Sequence, residues 1–300
     1  MERAKRLEDL VRKAEILTES LPYMRKFRGK TIVIKYGGAA MVQEDLKKVF
    51  ASDIVLLKHI GINPVVVHGG GPQINDMLKR LNIPTKFIQG IRVTDEETVN
   101  VVEMALVGKV NKEIVSLINS AGGRAVGLSG KDGGMIQAEK MFVEKAGSAG
   151  ELPEMIDVGM VGRVTKVDTS VIKTLEDAGF IAVIAPVGVG ANGETYNINA
   201  DYVAGAIAGA LQAEKMVILT DSAGILDKDK NLISGVTQSE VRQMIADGVI
   251  SGGMLPKADT CFAALDAGVS KAHIIDGRVK HSVLLEIFTD QGVGTEIRRE

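Results

Sequence analysis

Lysines next to glycines at two distant points of the chain are the residues best suited to chemistry. Lys35 lies in Ile34-Lys35-Tyr36-Gly37-Gly38, and Lys257 closes Gly252-Gly253-Met254-Leu255-Pro256-Lys257. Backbone without side chains lets an anion reach amide N–H groups, and an ammonium beside it adds a full positive charge. A tight turn with a solvated lysine is the plain alternative at Lys35. Between them, Val65-Val66-Val67-His68 runs into Gly69-Gly70-Gly71-Pro72, with the proline suited to an early helical position. Three successive glycines are entropically costly for a simple turn, and free amides at a helix start favour negative charge, so ligand contact is the better reading there. A third small-residue loop, Asp221-Ser222-Ala223-Gly224, follows another apolar run.

Nothing accompanies these loops that resembles a Ser-His or Cys-His pair. The histidines at 59, 68, 273 and 281 have no metal-ligand spacing. Glycines, lysines and anion-ready loops without a base suit phosphoryl transfer, in which positioning and charge neutralisation do most of the catalysis. An acceptor carboxylate, with a pKa of roughly 4.3, is already ionised at neutral pH and needs no base, whereas a hydroxyl usually does. Two common nucleotide signatures fail. Gly130-Lys131 is followed by Asp132 and has Ala125 where a Walker loop needs glycine. Gly188-Val189-Gly190-Ala191-Asn192-Gly193 fits G-x-G-x-x-G but leads into a hairpin-like stretch instead of a helix.

The elements that must position these loops alternate. From residue 31, short β-branched runs separate longer helical periods, which predicts an α/β fold with a mainly parallel central sheet. Strands are expected over 31–36, 64–67, 125–128, 181–185, 216–220 and 272–275. Thr94-Asp95-Glu96-Glu97 reads as a capping box opening a helix to about residue 120, and Thr237-Gln238-Ser239-Glu240 reads as another. Residues 134–167 read as β-hairpins. Ahead of all this, Leu7, Leu10, Val11, Ala14, Leu17 and Leu21 form one stripe of a helix over 1–28 that Pro22 bends or ends. Glu2, Glu8, Asp9, Glu15 and Glu19 argue against a mitochondrial leader. The stripe covers either its own domain or another subunit.

Composition narrows the classes. Three hundred residues suffice for one large or two moderate domains, and 36 basic against 38 acidic side chains give no field for nucleic acid or a membrane surface. With Cys261 as the single cysteine, an intrachain disulfide is impossible, a Cys-based zinc site is implausible, and a reducing, cytoplasmic setting is expected. No apolar run approaches the roughly 20 residues of a membrane span.

Taken together, these motifs resemble the amino-acid kinase family, in its branch that phosphorylates N-acetyl-L-glutamate. The resemblance rests on the segments already quoted, together with Gly90-Ile91-Arg92-Val93-Thr94 and Tyr196-Asn197-Ile198-Asn199-Ala200-Asp201, and spans nearly the whole chain. It implies a three-layer αβα sandwich of two lobes, 29–205 for the acylated amino acid and 206–300 for ATP, following the oligomerisation helix 1–28. Lys35 and Lys257 would flank the moving phosphoryl group, with Asp201 orienting them. Gly37, Gly38, Gly70 and Gly71 would donate amides, Arg92 and Asn197 would hold the substrate α-carboxylate, and Asp221, Ser222, Gly224 and Leu226 would border the nucleotide. Mg2+ would arrive on ATP, with no metal site of the protein's own. The resemblance further implies a hexamer built as a trimer of dimers and feedback by arginine at Tyr23, His281, Glu286 and Gly294. It raises a PII-type signalling protein as a partner and leaves that open. A catalytically silent arginine sensor is the alternative reading.

Overall fold

Successive side chains along the central strands are buried against opposite faces of one sheet, and that two-sided burial builds three layers. The computed structural model describes residues 2–145 and 154–300. Strands β1 (Thr31–Tyr36) and β2 (Asn63–His68) enclose helix α2 (Glu44–His59), after a first helix α1 (Glu2–Phe27). Helix α3 (Gly71–Arg80), a short hairpin β3 (Phe87–Ile88) and β4 (Ile91–Arg92), and helices α4 (Glu96–Glu103) and α5 (Asn111–Ser120) lead to β5 (Ala125–Ser129). Next come β6 (Ile136–Lys145), β7 (Glu154–Val167), α6 (Ser170–Asp177), β8 (Ile181–Ala185), β9 (Val187–Val189) and β10 (Thr195–Asn197). The C-terminal part holds α7 (Ala200–Leu211), β11 (Lys215–Thr220), β12 (Gly235–Thr237), α8 (Gln238–Ala246), α9 (Leu255–Asp266), β13 (Lys271–Asp276), α10 (Ser282–Phe288) and β14 (Thr295–Arg298).

The eight-stranded sheet has the order β12-β14-β13-β11-β1-β2-β8-β5. Six strands are parallel, and the outer pair β14 and β12, parallel to each other, runs antiparallel to β13 and the rest. Val33, Val65, Val67, Ile184 and Ile218 face a core shared with α7 and α9. Their neighbours Ile32, Ile34, Val66, Val183 and Val217 face the opposite core, shared with α2 and α5. A sheet apolar on both faces needs helices on both, so the expected αβα sandwich forms. Its strand order reverses at β1, with β2 on one side and β11 on the other, and such a reversal opens a crevice at the strands' carboxyl ends. The β6–β7 hairpin joins β9 and β10 in a small closed barrel; its tip, 146–153, lies outside the described residues.

Three local expectations are corrected. Helix α1 runs on through Pro22 to Phe27, so the proline does not end it. Proline orphans the carbonyl four residues back, and Thr18, in that place, is exposed to water. The stripe on α1 stays uncovered within the chain, with Leu7 60% and Leu17 65% exposed. Thr94 is not a helix cap: Asp95 accepts from Thr98 N at 2.8 Å, and Thr94 donates to Arg92 O at 2.9 Å. Finally, the helix expected to reach residue 120 is interrupted by a π-helical segment over Met104–Val110. Among the described residues, no helix is long and apolar enough to cross a membrane.

Candidate active site

Two lysines 222 residues apart in sequence meet on one carboxylate. Lys35, at the carboxyl end of β1, has its Nζ 3.0 Å from Asp201 Oδ1, and Lys257, in the first turn of α9, donates to Asp201 Oδ2 at 2.8 Å. Local sequence explains both placements. The apolar run of β1 carries Lys35 to the strand's end, and Pro256 starts α9 where its missing N–H costs nothing. A cation in the first turn of a helix opposes the macrodipole, so Lys257 depends on Asp201 for compensation. Asn199 caps α7 by accepting from Asp201 N at 2.8 Å, which frees the Asp201 side chain from that duty.

Asp201 is 4% exposed. Burial would raise its pKa, but the charges of Lys35 and Lys257 and the Lys257 hydrogen bond outweigh it and hold the carboxyl below the usual carboxylate range. Two ammonium groups against one carboxylate leave net positive charge beside the crevice, an arrangement that binds and stabilises an anion.

The glycines beside this cluster serve different needs. A Cβ on Gly37 would lie 2.5 Å from Lys35 Nζ, so the glycine leaves room for the ammonium. Gly38 has φ +68, and a Cβ there would run into the Asp221 carboxylate. Asp221 itself accepts from Ala39 N at 2.6 Å, tying the loop after β11 to the loop after β1. Ser222 Oγ is buried without a hydrogen-bond partner among the described residues, two positions before Gly224 at φ +148; Leu226, farther along, is exposed. Across the crevice, Gly70 and Gly71 open α3, whose first amides lack intrahelical acceptors.

Arg92 is buried in β4 and has only neutral partners: it donates to Thr85 Oγ1 at 2.5 Å and Asn75 Oδ1 at 2.6 Å, with its guanidinium 4.6 Å from the Phe87 ring centre. Burial lowers its pKa. Asn197 in β10 donates to Thr94 Oγ1 at 3.4 Å, and Thr94 in turn bonds the Arg92 carbonyl. Arg92 forms no ion pair among the described residues, and such a guanidinium is suited to a ligand carboxylate. Among those residues no three or more His, Cys, Asp or Glu side chains gather as a metal cluster.

A second polar site lies away from this crevice. A cavity of about 560 Å³ is lined by Lys215, His273, Glu286 and Glu296 among others. Through Thr289 and Asp290 it adjoins one of about 640 Å³ beneath α1, which Glu19, Tyr23 and Lys26 line. Tyr23 donates to Asp290, while Glu286 accepts from His273 Nδ1 at 2.6 Å, Val293 N at 2.7 Å and Gly294 N at 3.2 Å. Of the four residues the resemblance assigned to arginine, Tyr23, Glu286 and Gly294 therefore gather here. His281 does not: it is drawn to α2, with Nδ1 2.6 Å from Asp53 Oδ1. His273 and Lys215 occupy the site instead, and the reading of the sequence missed both. Their signal was a histidine and a lysine inside strand runs otherwise apolar.

The family model of the amino acid kinase family matches residues 30–276. The acetylglutamate kinase of Syntrophus aciditrophicus (strain SB) is 60% identical over 291 residues, covering 97% of this chain and 98% of the relative. A structure of N-acetylglutamate synthase from Neisseria gonorrhoeae, complexed with coenzyme A and N-acetyl-glutamate, matches with TM-score 0.82 at 28% identity; the match covers 96% of this chain and 63% of that one. The same synthase complexed with coenzyme A and L-arginine matches with TM-score 0.78 at 27% identity, covering 96% of this chain and 65% of that one.

Proposed function

The chain belongs to the amino acid kinase family, and on that premise we propose that its crevice transfers the γ-phosphoryl group of ATP to the γ-carboxylate of N-acetyl-L-glutamate. The product is N-acetyl-L-glutamyl 5-phosphate, the second step of arginine biosynthesis, as the name of the 60% identical relative supports. The observation that carries the reading is the convergence of Lys35 and Lys257 on Asp201. A carboxylate oxygen of the acceptor attacks the γ-phosphorus, and the bond from that phosphorus to the bridging oxygen of ADP breaks. No proton leaves the acceptor. The Lys35 and Lys257 ammonium groups neutralise charge on the group in flight, and Asp201 keeps them apart and oriented.

Amides of Gly37, Gly38, Gly70 and Gly71 receive phosphoryl and carboxylate oxygens. Arg92, which lacks an acidic partner among the described residues, takes the α-carboxylate together with Asn197. Asp221, Ser222, Gly224 and Leu226 border the nucleotide in the lobe 206–300, and 29–205 forms the acetylglutamate lobe. Mg2+ bound to the phosphates of ATP would supply charge neutralisation there.

Arginine is the effector at the second site. Its guanidinium pairs with Glu286 beside Gly294, under Tyr23 of α1, and the likeness to a synthase complexed with L-arginine supports this. The exposed stripe of α1 buries itself against another subunit of a homo-oligomer, a hexamer assembled as a trimer of dimers, in the cytoplasm. A coupled assay of ADP release with Mg-ATP and N-acetyl-L-glutamate tests the reading. Turnover is expected. Folded protein without turnover selects the second reading, a silent arginine sensor, which the likeness to the synthase favours.

A further inference from the structure

His68 and Asn111 are both fully buried, both polar, and have no part in the chemistry above. His68 Nδ1 lies 2.7 Å from Gly69 O, and Asn111 Nδ2 lies 3.2 Å from His68 Nε2. The direction of every bond follows from one cation. Lys112 Nζ, which can only donate, is 3.2 Å from Asn111 Oδ1, so the amide nitrogen of Asn111 faces His68 and also donates to Val183 O at 2.9 Å. His68 Nε2 must then accept, its proton sits on Nδ1, and Nδ1 donates to Gly69 O. Burial and the nearby Lys112 charge hold the imidazole down at about 4, against the Gly69 bond, so it stays neutral at physiological pH.

The surroundings are shaped to admit this pair. A Cβ on Gly127 in β5 would overlap Asn111 Oδ1 and lie 2.6 Å from Lys112 Nζ, so the glycine in mid-strand makes the space the amide fills. The π-helical segment ends at Val110, and Asn111 directly after it opens α5. That same segment packs Leu106 against Gly70, where a Cβ would lie 2.5 Å from Leu106 Cδ2.

Gly69 N donates to Tyr36 O at 2.8 Å, and its carbonyl is held by His68. In a planar trans peptide the C=O of Gly69 and the N–H of Gly70 point in opposite directions. Holding one aims the other. We infer that His68 and Asn111 are positioning residues that direct the Gly70 N–H toward the oxygens of the acceptor substrate. This rests on the reading of the crevice as an acetylglutamate kinase.

The test compares His68→Leu, His68→Asn and Gly127→Ala with the wild type. An asparagine amide can supply an N–H where Nδ1 stands, whereas leucine cannot. His68→Leu and Gly127→Ala should raise the KM for N-acetyl-L-glutamate about tenfold, the scale of one lost hydrogen bond, with the KM for ATP changed less than about twofold. His68→Asn should recover most of that loss. Equal effects on both substrates, no effect, or no difference between His68→Leu and His68→Asn overturns the inference. Neutron diffraction on wild-type crystals covers the case in which the variants do not fold: a deuteron on Nδ1 and none on Nε2 is expected, and the reverse overturns it. If wild-type protein does not phosphorylate acetylglutamate, the functional reading fails, while the neutron map still decides the tautomer.

Discussion

Lys257 Nζ donates to Asp201 Oδ2 at 2.8 Å, which joins the first turn of α9 to the first turn of α7 across 56 residues of chain. Because Lys35 reaches the other oxygen of the same carboxylate, that one carboxylate gathers two positive charges from distant parts of the chain.

Removing either charge should affect the reaction more than binding. Lys35→Ala and Lys257→Ala are expected to lower kcat by about 100-fold or more, the scale seen when one preorganised donor to developing charge is deleted, with the KM for acetylglutamate changed several-fold at most. Steady-state kinetics check this. A variant that loses affinity alone contradicts the assigned roles.

Asp201 links stability to acid. Its folded-state pKa is below the unfolded value, so its contribution is present above the ordinary carboxylate pKa, roughly 3.9, and is lost as pH falls through the lower, folded value. Thermal melts from pH 7 downward should show the wild type losing an increment below about pH 4 that Asp201→Asn does not lose. Parallel curves for the two proteins would count against the ion pair.

Asp53 predicts the opposite sign. Burial raises its carboxyl to about 6, against the lowering effect of His281. The folded state thus holds a proton that the unfolded chain has released, and stability falls as pH rises from about 4 to about 6. Asp53→Asn should flatten this slope in melts across that window. An unchanged slope refutes the assignment.

Arg92→Lys keeps the charge and loses the planar fork. The KM for acetylglutamate is expected to rise about tenfold, with the KM for ATP nearly unchanged. Substrate-dependence curves for both substrates provide the check, and equal shifts would remove Arg92 from the acetylglutamate side.

Removal of residues 1–24 should leave dimers by light scattering and weaken arginine inhibition, since Tyr23 and the exposed stripe leave with α1. Glu286→Gln should weaken inhibition without changing assembly. Intact hexamers after the deletion would end the proposed role of the arm.

How much of this was legible depended on range. Short β-branched runs located β1, β2, β5, β8, β11 and β13 to within a residue or two at each end, because a continuous apolar run bounded by turn residues is a local property of the chain. Glycines beside Lys35, after His68 and beside Lys257 marked loops that accommodate an anion for a similarly local reason. By contrast, Thr94 and Asp95 are both residues that can cap a helix, one position apart, and the choice falls to Asp95 because the Thr94 hydroxyl is engaged by the Arg92 carbonyl. Pro22 signals a break, yet an exposed helix hydrates the orphaned carbonyl and continues.

By itself, the order of residues determined the alternation of strands and helices, the glycine loops at strand ends and an acid-base inventory compatible with phosphoryl transfer to a carboxylate. Only the tertiary structure decided that Lys35 and Lys257 share Asp201, that His273 joins Glu286 while His281 turns to Asp53, and that His68 is locked by Asn111. These pairings depend on crossover connections and on one π turn in a helix. They are set by how whole elements pack to bury both faces of the sheet, and no window of sequence contains that information.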